Sequence, residues 1–172
     1  MQTVHFRNWL KWIQTQVPVT IKKYNGSNIT LSSYPSTSNI GLAVYNTNPY
    51  QALSKWISNG NPSSWGCGVI FGDGNTPPTE NDYFLSGNAI NTLTVACGVT
   101  TSEEDGKIVV TGTFTITNIS DADITIREVG TFGCGYNGNS PIAILIDREV
   151  LDTPLAIPAG GIGQVVYKIA VS

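Results

Sequence analysis

The feature that most constrains the fold is a two-residue alternation of apolar and polar side chains in the C-terminal half of the chain. It is clearest over residues 107–119, where one face carries Ile108, Val110, Gly112, Phe114 and Ile116 and the other carries Val109 with threonine and asparagine. A period of two is typical of a β-strand with one buried face. Asp105-Gly106, directly before this segment, is a sequence signal for a tight hairpin. The segment therefore predicts a strand of an antiparallel sheet.

Comparable strand patterns recur from residue 68 to the end of the chain. Besides 107–119, they cover 69–71, 88–99, 124–131, 142–150 and 163–171. Residues 142–150 are almost continuously apolar, which indicates a strand covered on both faces, and Pro154 and Pro158 indicate a bent or edge connection after it. About six short strands joined by turns predict a mainly β fold, an antiparallel β-sandwich of the immunoglobulin-like or jelly-roll-like kind.

The first 65 residues have a different character and predict two short helices. In the first, Phe6, Trp9, Leu10 and Ile13 recur at helical spacing. The second begins at Asn48-Pro49, which suit an N-cap and a first helical turn, carries Trp56 in its apolar stripe and ends at Gly60. Residues 19–45 between them read as irregular, with short β-like pieces at 20–22, 29–31 and 40–45. We expect an N-terminal adaptor region (1–65) and a β-sandwich domain (66–172). The helices cover one end of the sandwich or dock onto a neighbouring subunit.

Composition excludes several classes of function. The 172 residues are enough for one domain with a real core. Only 12% are charged and the net charge is −3, so we expect no nucleic-acid partner. The sequence contains no run of about 18 apolar residues, so we predict no membrane span. The N-terminus does not resemble a secretory signal, so we interpret Cys67, Cys97 and Cys134 as free thiols of a chain made in a reducing bacterial cytoplasm.

The sequence offers little material for catalysis, and we predict no catalytic residue and no cofactor. His5 is the only histidine and falls on the polar side of the first helix, far in sequence from any thiol. Asp147 and Glu149 share one face of a predicted strand, as a pair of catalytic carboxylates would. We interpret them instead as rim charges that pair with Arg127 or Arg148.

Metal and sugar sites are weaker alternatives. The cysteines lack the spacing of a zinc site. Asp73, Asn75 and Asp82 supply oxygen ligands that calcium would accept, but a turn that needs Asp, Gly and Asn for its backbone angles explains them as well, so we predict no metal site. A host glycan stays open as a ligand, because small β-sandwiches use exposed aromatic rings as sugar platforms; the candidates are Trp65, Tyr83 and Tyr136.

Three patches of the C-terminal part resemble segments of small virion structural proteins of tailed bacteriophages. The first is Gly72-Asp-Gly-Asn-Thr-Pro-Pro-Thr-Glu-Asn-Asp-Tyr-Phe-Leu85. The second is Thr125-Ile-Arg-Glu-Val-Gly-Thr-Phe-Gly133. The third is Leu145-Ile-Asp-Arg-Glu-Val-Leu-Asp-Thr-Pro-Leu-Ala-Ile-Pro-Ala-Gly160. Order and rough spacing agree with that family, and the resemblance covers about residues 66–172.

The resemblance implies a structural component of a virion, of the head-decoration, head-fibre, tail or baseplate type, and carries no catalytic residue. Its partners would be other virion proteins and copies of itself, on the capsid surface or in the tail or neck. Glu128 and Arg148 lie in strand patches, so we expect them to pair across strands, with Asp82 capping the loop. Aromatic anchors suit protein interfaces, and the candidates here are Phe6, Trp9, Trp12, Trp56 and Trp65. The alternative function is a host-surface carbohydrate-binding module of a phage fibre or tail.

Overall fold

A computed structural model describes residues 2–15, 19–23, 25–31, 68–137 and 140–171 of the chain. The second predicted helix at 48–60 and the possible strand at 40–45 lie outside these residues. Within them the fold is mainly β, with antiparallel sheets and one helix.

The N-terminal elements are the helix α1 (Val4–Thr15) and a two-stranded antiparallel ribbon of β1 (Val19–Lys22) and β2 (Asn28–Leu31). Thr3 is the N-cap of α1, since its hydroxyl oxygen accepts the Phe6 amide at 3.2 Å. The predicted first helix is confirmed. The two β-like pieces inside the segment that we read as irregular are real strands.

The remaining strands form two antiparallel sheets of three strands each. One sheet has the order β3–β6–β7, with bounds Gly68–Gly72, Ile124–Asn137 and Ser140–Ile157. The other has the order β4–β5–β8, with bounds Leu93–Glu104, Lys107–Asn118 and Ile162–Val171. The six strands expected after residue 68 are therefore present.

The alternation in β5 produces the predicted burial around Phe114, but Val109, on the predicted polar face, is also buried. Phe114 and Ile116 are buried, whereas Thr115 between them is exposed. Asp105 and Gly106, at the turn that joins β4 to β5, have φ angles of 53° and 71°. Positive φ at both central positions is the mark of a type I′ hairpin, whose twist matches that of the strands.

Both three-stranded sheets contribute side chains to one buried cluster. Its members are Val69, Phe71, Ile126, Val129 and Ile157 from β3–β6–β7 and Leu93, Phe114, Ile116, Val165 and Tyr167 from β4–β5–β8. The rings of Phe71 and Phe114 meet edge to face, with centroids 5.7 Å apart. The two sheets therefore share one buried apolar cluster.

Strand β7 is longer than the sequence pattern predicted. It does not end near Val150 but continues to Ile157, with Pro154 inside it. The pairing with β6 steps from Val150 opposite Glu128 to Leu155 opposite Ile126, so residues 151–154 form an irregularity. Proline is tolerated there because a bulged residue need not donate to the ladder.

Asn118 fixes the end of β5 against the end of β7. It is fully buried, and its Nδ2 donates to the carbonyls of Ala122 at 2.8 Å, Ile157 at 3.2 Å and Pro158 at 3.0 Å. Its Oδ1 accepts the Ser120 amide at 3.0 Å. One side chain thus satisfies backbone groups of two separate connections.

Candidate functional site

A buried ion pair lies where the loop between β3 and β4, residues 73–92, crosses the sheet β3–β6–β7. Glu128 of β6 is fully buried and Arg148 of β7 is 2% exposed. The Arg148 Nη1 donates to Glu128 Oε2 at 2.6 Å. The two strands are direct neighbours in the sheet, which confirms the expected cross-strand pair.

The Glu128 carboxylate also accepts hydrogen bonds from the loop. The Gly74 and Gly87 amides donate to Oε1 at 3.2 and 2.7 Å. The Ser86 amide and hydroxyl both donate to Oε2 at 3.0 Å. A buried carboxylate needs such donors, because burying a charge without partners is very costly.

Arg148 holds a different part of the same loop. Its Nε donates to Asp82 Oδ2 at 2.7 Å, and its Nη2 donates to the carbonyls of Thr76 and Pro77, each at 3.0 Å. The planar guanidinium, with five donors in a fixed fork, suits this task better than the single ammonium of lysine. Glu128 and Arg148 together therefore fix the loop at several points.

Asp82 caps its own turn, as expected from the sequence. Its Oδ2 accepts the Thr79 amide at 2.9 Å and its Oδ1 accepts the Thr79 hydroxyl at 2.7 Å. The three patches that carry the family resemblance thus meet in one place: Asp82 belongs to the first, Glu128 to the second and Arg148 to the third. We name these three residues the ion network.

The loop approaches the ion network so closely that two of its positions require glycine. A Cβ on Gly74 would collide with Glu128 Oε1 and the Gly87 amide, and a Cβ on Gly87 would collide with the Asp73 carboxylate and the Gly74 backbone. Only a residue without a side chain lets the backbone amides reach the carboxylate. Gly74 of the first patch and Gly87, just after it, are therefore part of the site.

In each of the two carboxyls of the network, burial raises the pKa and hydrogen bonding lowers it. Burial alone would raise the pKa of Glu128, but the Ser86 and Gly87 amides, Arg148 and the Ser86 hydroxyl outweigh it and hold that pKa below its usual value. The pKa of Asp82 is also lowered, because hydrogen bonds from Thr79 and Arg148 outweigh its partial burial. Both carboxyls are therefore ionised at neutral pH.

Two of the three residues considered as calcium ligands, Asp73 and Asp82, have carboxylates that accept hydrogen bonds within the chain. Both carboxylate oxygens of Asp73 bind Asn88, one from its amide at 2.6 Å and one from its side chain at 3.2 Å. Asp82 is occupied by Thr79 and Arg148. Among the described residues no group of three or more His, Cys, Asp or Glu is placed to hold a metal ion.

The loop also attaches α1 to the sheet. The Val4 amide donates to the Glu80 carbonyl at 2.7 Å, and Arg7 forms an exposed ion pair with the Glu80 carboxylate at 2.6 Å. On the other side, the Thr3 amide donates to the Ile146 carbonyl of β7 at 3.0 Å. The first helix therefore contacts the loop and β7 of its own chain, and its docking onto a neighbouring subunit stays a prediction.

His5 does not face solvent, which corrects its assignment to a polar helix side. It is half-buried, and its Nδ1 accepts the Lys22 amide of β1 at 3.3 Å. Burial lowers the pKa of His5, and the Lys22 charge adds to this effect. A helical wheel counts every histidine as polar, whereas here the neutral ring serves as an acceptor between two elements.

Asp147 and Glu149, the other carboxylate pair considered, have separate surroundings. Asp147 is half-buried and accepts the Tyr167 hydroxyl of β8 at 2.5 Å, whereas Glu149 is exposed. Burial, followed by the Asp147 charge, raises the pKa of Tyr167 far above its ordinary value, so this hydroxyl keeps its proton. The bond links the two sheets, and Asp147 is not the rim charge that we expected.

The predicted interface and sugar residues are only partly described. Phe6 is half-buried and packs with β1, β2 and Ile144 of β7. The side chains of Trp9, Trp12 and Tyr136 lie outside the described part of the chain, as do residues Trp56 and Trp65, so their roles stay predictions. Tyr83 is 37% exposed, but its ring packs over Gly26 and lies 5.2 Å from the Lys22 ammonium, so this platform is partly occupied.

The cysteines are not gathered with His5 among the described residues. Cys97 is a half-buried free thiol on β4, and burial raises its pKa. Cys67 and the side chain of Cys134 lie outside the described residues.

No protein-family model, no curated protein and no solved structure matches this chain. The described residues also contain no helix with the length and apolarity that crossing a bilayer requires.

Proposed function

We propose that this chain is a structural component of a tailed-bacteriophage virion. Its two sheets form a β-sandwich, and it assembles through protein–protein contacts on the capsid surface or in the tail or neck. The observation that carries the proposal is the ion network, because it gives the three resembling patches one shared physical task. They hold a long loop rigidly on a sheet.

The chemistry of the network favours a scaffold over a catalyst. Glu128 has both oxygens bound to loop donors and Arg148, and Arg148 is almost fully buried by Glu128, Asp82 and loop carbonyls. A general acid or base needs a reachable proton and a pKa near the working pH. The lowered pKa and complete burial of Glu128 are instead those of a carboxylate that stays ionised and fixed in place.

A composition poor in charge supports the same proposal. Charged residues make up 12% of the chain, about half the usual share. Depletion of charge is characteristic of the cores of protein interfaces. The N-terminal residues Trp9, Trp12, Trp56 and Trp65 remain the proposed anchors for a neighbouring virion protein, whereas Phe6 packs within its own chain.

The test is whether the chain belongs to particles. Lysates of the culture that expresses it are separated on a density gradient, and each fraction is assayed for infectivity and, by quantitative mass spectrometry, for this chain. The proposal expects the chain to sediment with infectious particles and to withstand a high-salt wash. A chain found only in the soluble fractions would contradict it.

A further inference from the structure

The helix α1 and the ribbon β1–β2, which we name the N-terminal unit, pack on the rest of the chain separately from the main core. Their apolar side chains form a cluster of their own with Ile144 of β7, and they contribute no described member to the cluster between the two sheets. Backbone hydrogen bonds of Thr3 and Val4 to Ile146 and Glu80 complete the attachment. Elements that share few buried contacts with the rest of a fold open as separate units. A local change at this junction can therefore release the N-terminal unit without unfolding the two sheets.

His5 lies at this junction, between α1, β1 and the loop that joins β3 to β4. Its half-buried ring accepts the Lys22 amide of β1 at Nδ1, over 3.3 Å. A backbone amide only donates, so this bond requires Nδ1 without a proton, and the neutral ring then carries its proton on Nε2. Nε2 is buried and has no hydrogen-bond partner among the described residues, although the Asn81 backbone of the loop attracts a ring proton. The junction therefore fits the neutral imidazole.

A second proton on the ring would convert the acceptor into a donor. Protonation places an N–H on Nδ1, opposite the N–H of Lys22, so that two donors face each other and the bond between α1 and β1 is lost. It also adds a positive charge that the ammonium of Lys22 disfavours. This ammonium lies 5.2 Å from the centroid of the Tyr83 ring on the loop, so it belongs to the same junction. Both effects act against the packed arrangement.

The carboxylates on the elements that contact α1 already have partners. They are Glu80 of the loop, ion-paired with Arg7; Asp82 of the loop, ion-paired with Arg148; and Asp147 of β7, which accepts the Tyr167 hydroxyl. The strands β1 and β2 contain no acidic residue. Burial and the Lys22 charge therefore lower the pKa of His5, where an acidic partner would raise it.

We propose that protonation of His5 at mildly acidic pH releases α1 from β1 and the loop, while the two three-stranded sheets stay folded. The released ring binds its proton with the ordinary pKa of 6.5, and the packed ring binds it only at lower pH. The stabilisation by neutral His5 is therefore complete above that ordinary value and is lost as the pH falls below it. The carboxyls of the ion network lose their contribution only below 4.5 and 3.8, so the N-terminal unit responds first.

The first experiment follows the ring of His5 by NMR on the full chain, from about pH 8 to about pH 5. His5 is the only histidine, so the imidazole signals need no assignment. We expect a ring protonated at Nε2 alone at neutral pH and a titration midpoint below 6.5. A midpoint at or above 6.5, or a neutral ring protonated at Nδ1, overturns the proposal.

The second experiment measures hydrogen exchange of the backbone amides by mass spectrometry over the same pH range, with each rate corrected for the intrinsic effect of pH. Peptides of α1 and β1 should lose protection as the pH falls, whereas peptides of β5 should keep theirs. Each unit by which the NMR midpoint lies below 6.5 corresponds to a loss of α1 protection of about tenfold. Unchanged protection of α1, or an equal loss in α1 and β5, contradicts the proposed release.

Two variants assign the loss to the imidazole. His5→Gln retains an oxygen that accepts the Lys22 amide but gains no proton in this range, so α1 should keep the same protection throughout. Glu80→Gln is the matched control, since it removes a titratable group that pairs with Arg7 of α1, and it should lose protection as the wild type does. If His5→Gln also shows the wild-type loss, or if Glu80→Gln abolishes it, His5 is not the group that responds to pH. If His5→Gln already lowers α1 protection at neutral pH, the two wild-type measurements decide alone.

The inference goes beyond the proposed virion role and does not depend on it, because every measurement uses the isolated chain.

Discussion

Arg148 is the residue on which most contacts of the site converge. It binds the carboxylates of Glu128 and Asp82 and two carbonyls of the loop while being 2% exposed. Removing one partner of a buried pair leaves the other charge uncompensated, which costs far more than the net contribution of the intact pair. A single substitution at Arg148 therefore measures how strongly the network affects the free energy of unfolding.

We expect Arg148→Met to lower the free energy of unfolding by about 3–5 kcal/mol, because Glu128 then stays buried without its cation. The matched control is Arg7→Met. It removes an exposed ion pair with Glu80, in which the two side chains are 48% and 56% exposed, and should cost no more than about 1 kcal/mol. Urea unfolding followed by tryptophan fluorescence measures both. Equal costs would contradict the structural role of the network.

The same carboxyls make stability depend on pH in a defined direction. The pKa values of Glu128 and Asp82 are lower in the folded chain than the ordinary values of 4.5 and 3.8. Their contribution is therefore complete above those ordinary values and is lost as the pH falls through the lower, folded values. Urea unfolding between pH 7 and about pH 2.5 should show this loss. Glu128→Gln should reduce the loss of stability on the acid side, and a loss identical to that of the wild type would contradict the assignment.

At the scale of the element, the hairpin between β4 and β5 shows how one turn sets the register of a sheet. Asp105 and Gly106 both have positive φ, and every pair from Leu93–Asn118 to Glu104–Lys107 follows from that turn. A slip by one residue would turn the core side of β5, with Phe114 and Ile116, outward.

Gly106→Ala should destabilise the chain by about 1 kcal/mol, since alanine disfavours positive φ. Gly98→Ala is the matched control. A Cβ meets no neighbour at either position, but Gly98 lacks a positive φ, so only the backbone conformation differs. Thermal unfolding compares the two. A Gly98→Ala variant that is equally destabilised would show that the turn geometry is not the cause.

Local patterns predicted elements well and contacts between distant elements poorly. The period of β5 and the Asp-Gly turn are encoded within a few residues, so both were predictable. The pair of Glu128 with Arg148 was expected, but the loop partners of Glu128 were not, because the backbone amides of Gly74 and Gly87 carry no side-chain signal. Pro154 was misleading, since a bulge that tolerates proline is set by the pairing with β6. His5 and Asp147 were misplaced because a polar residue type alone does not reveal a buried partner.

At the scale of the whole molecule, the two sheets are joined by an apolar cluster and by hydrogen bonds, of which the bond between Tyr167 and Asp147 is the shortest among the described residues that carry them. The Tyr167 hydroxyl of β8 donates to Asp147 of β7, and the shared cluster surrounds it. A hydrogen bond to an ionised acceptor contributes more than a neutral one. This bond helps to fix the orientation of one sheet on the other.

Tyr167→Phe should lower the free energy of unfolding by about 1.5–3 kcal/mol, because a half-buried carboxylate loses a donor. Tyr83→Phe, on a ring that is 37% exposed, is the control and should stay within about 0.5 kcal/mol of wild type. Chemical unfolding at neutral pH measures both. If Tyr167→Phe is as harmless as the control, the bond between the sheets does not contribute to stability.

We propose that the chain acts as a rigid structural unit, in which the ion network fixes the longest described loop on the sheet β3–β6–β7. The most direct test is the number of copies in a purified infectious particle, measured by mass spectrometry against isotope-labelled peptides of the chain. A structural role predicts a constant copy number set by particle symmetry, either on the order of hundreds for the capsid surface or a small multiple of three, six or twelve for the tail or neck. A variable number well below one copy per particle would contradict the account.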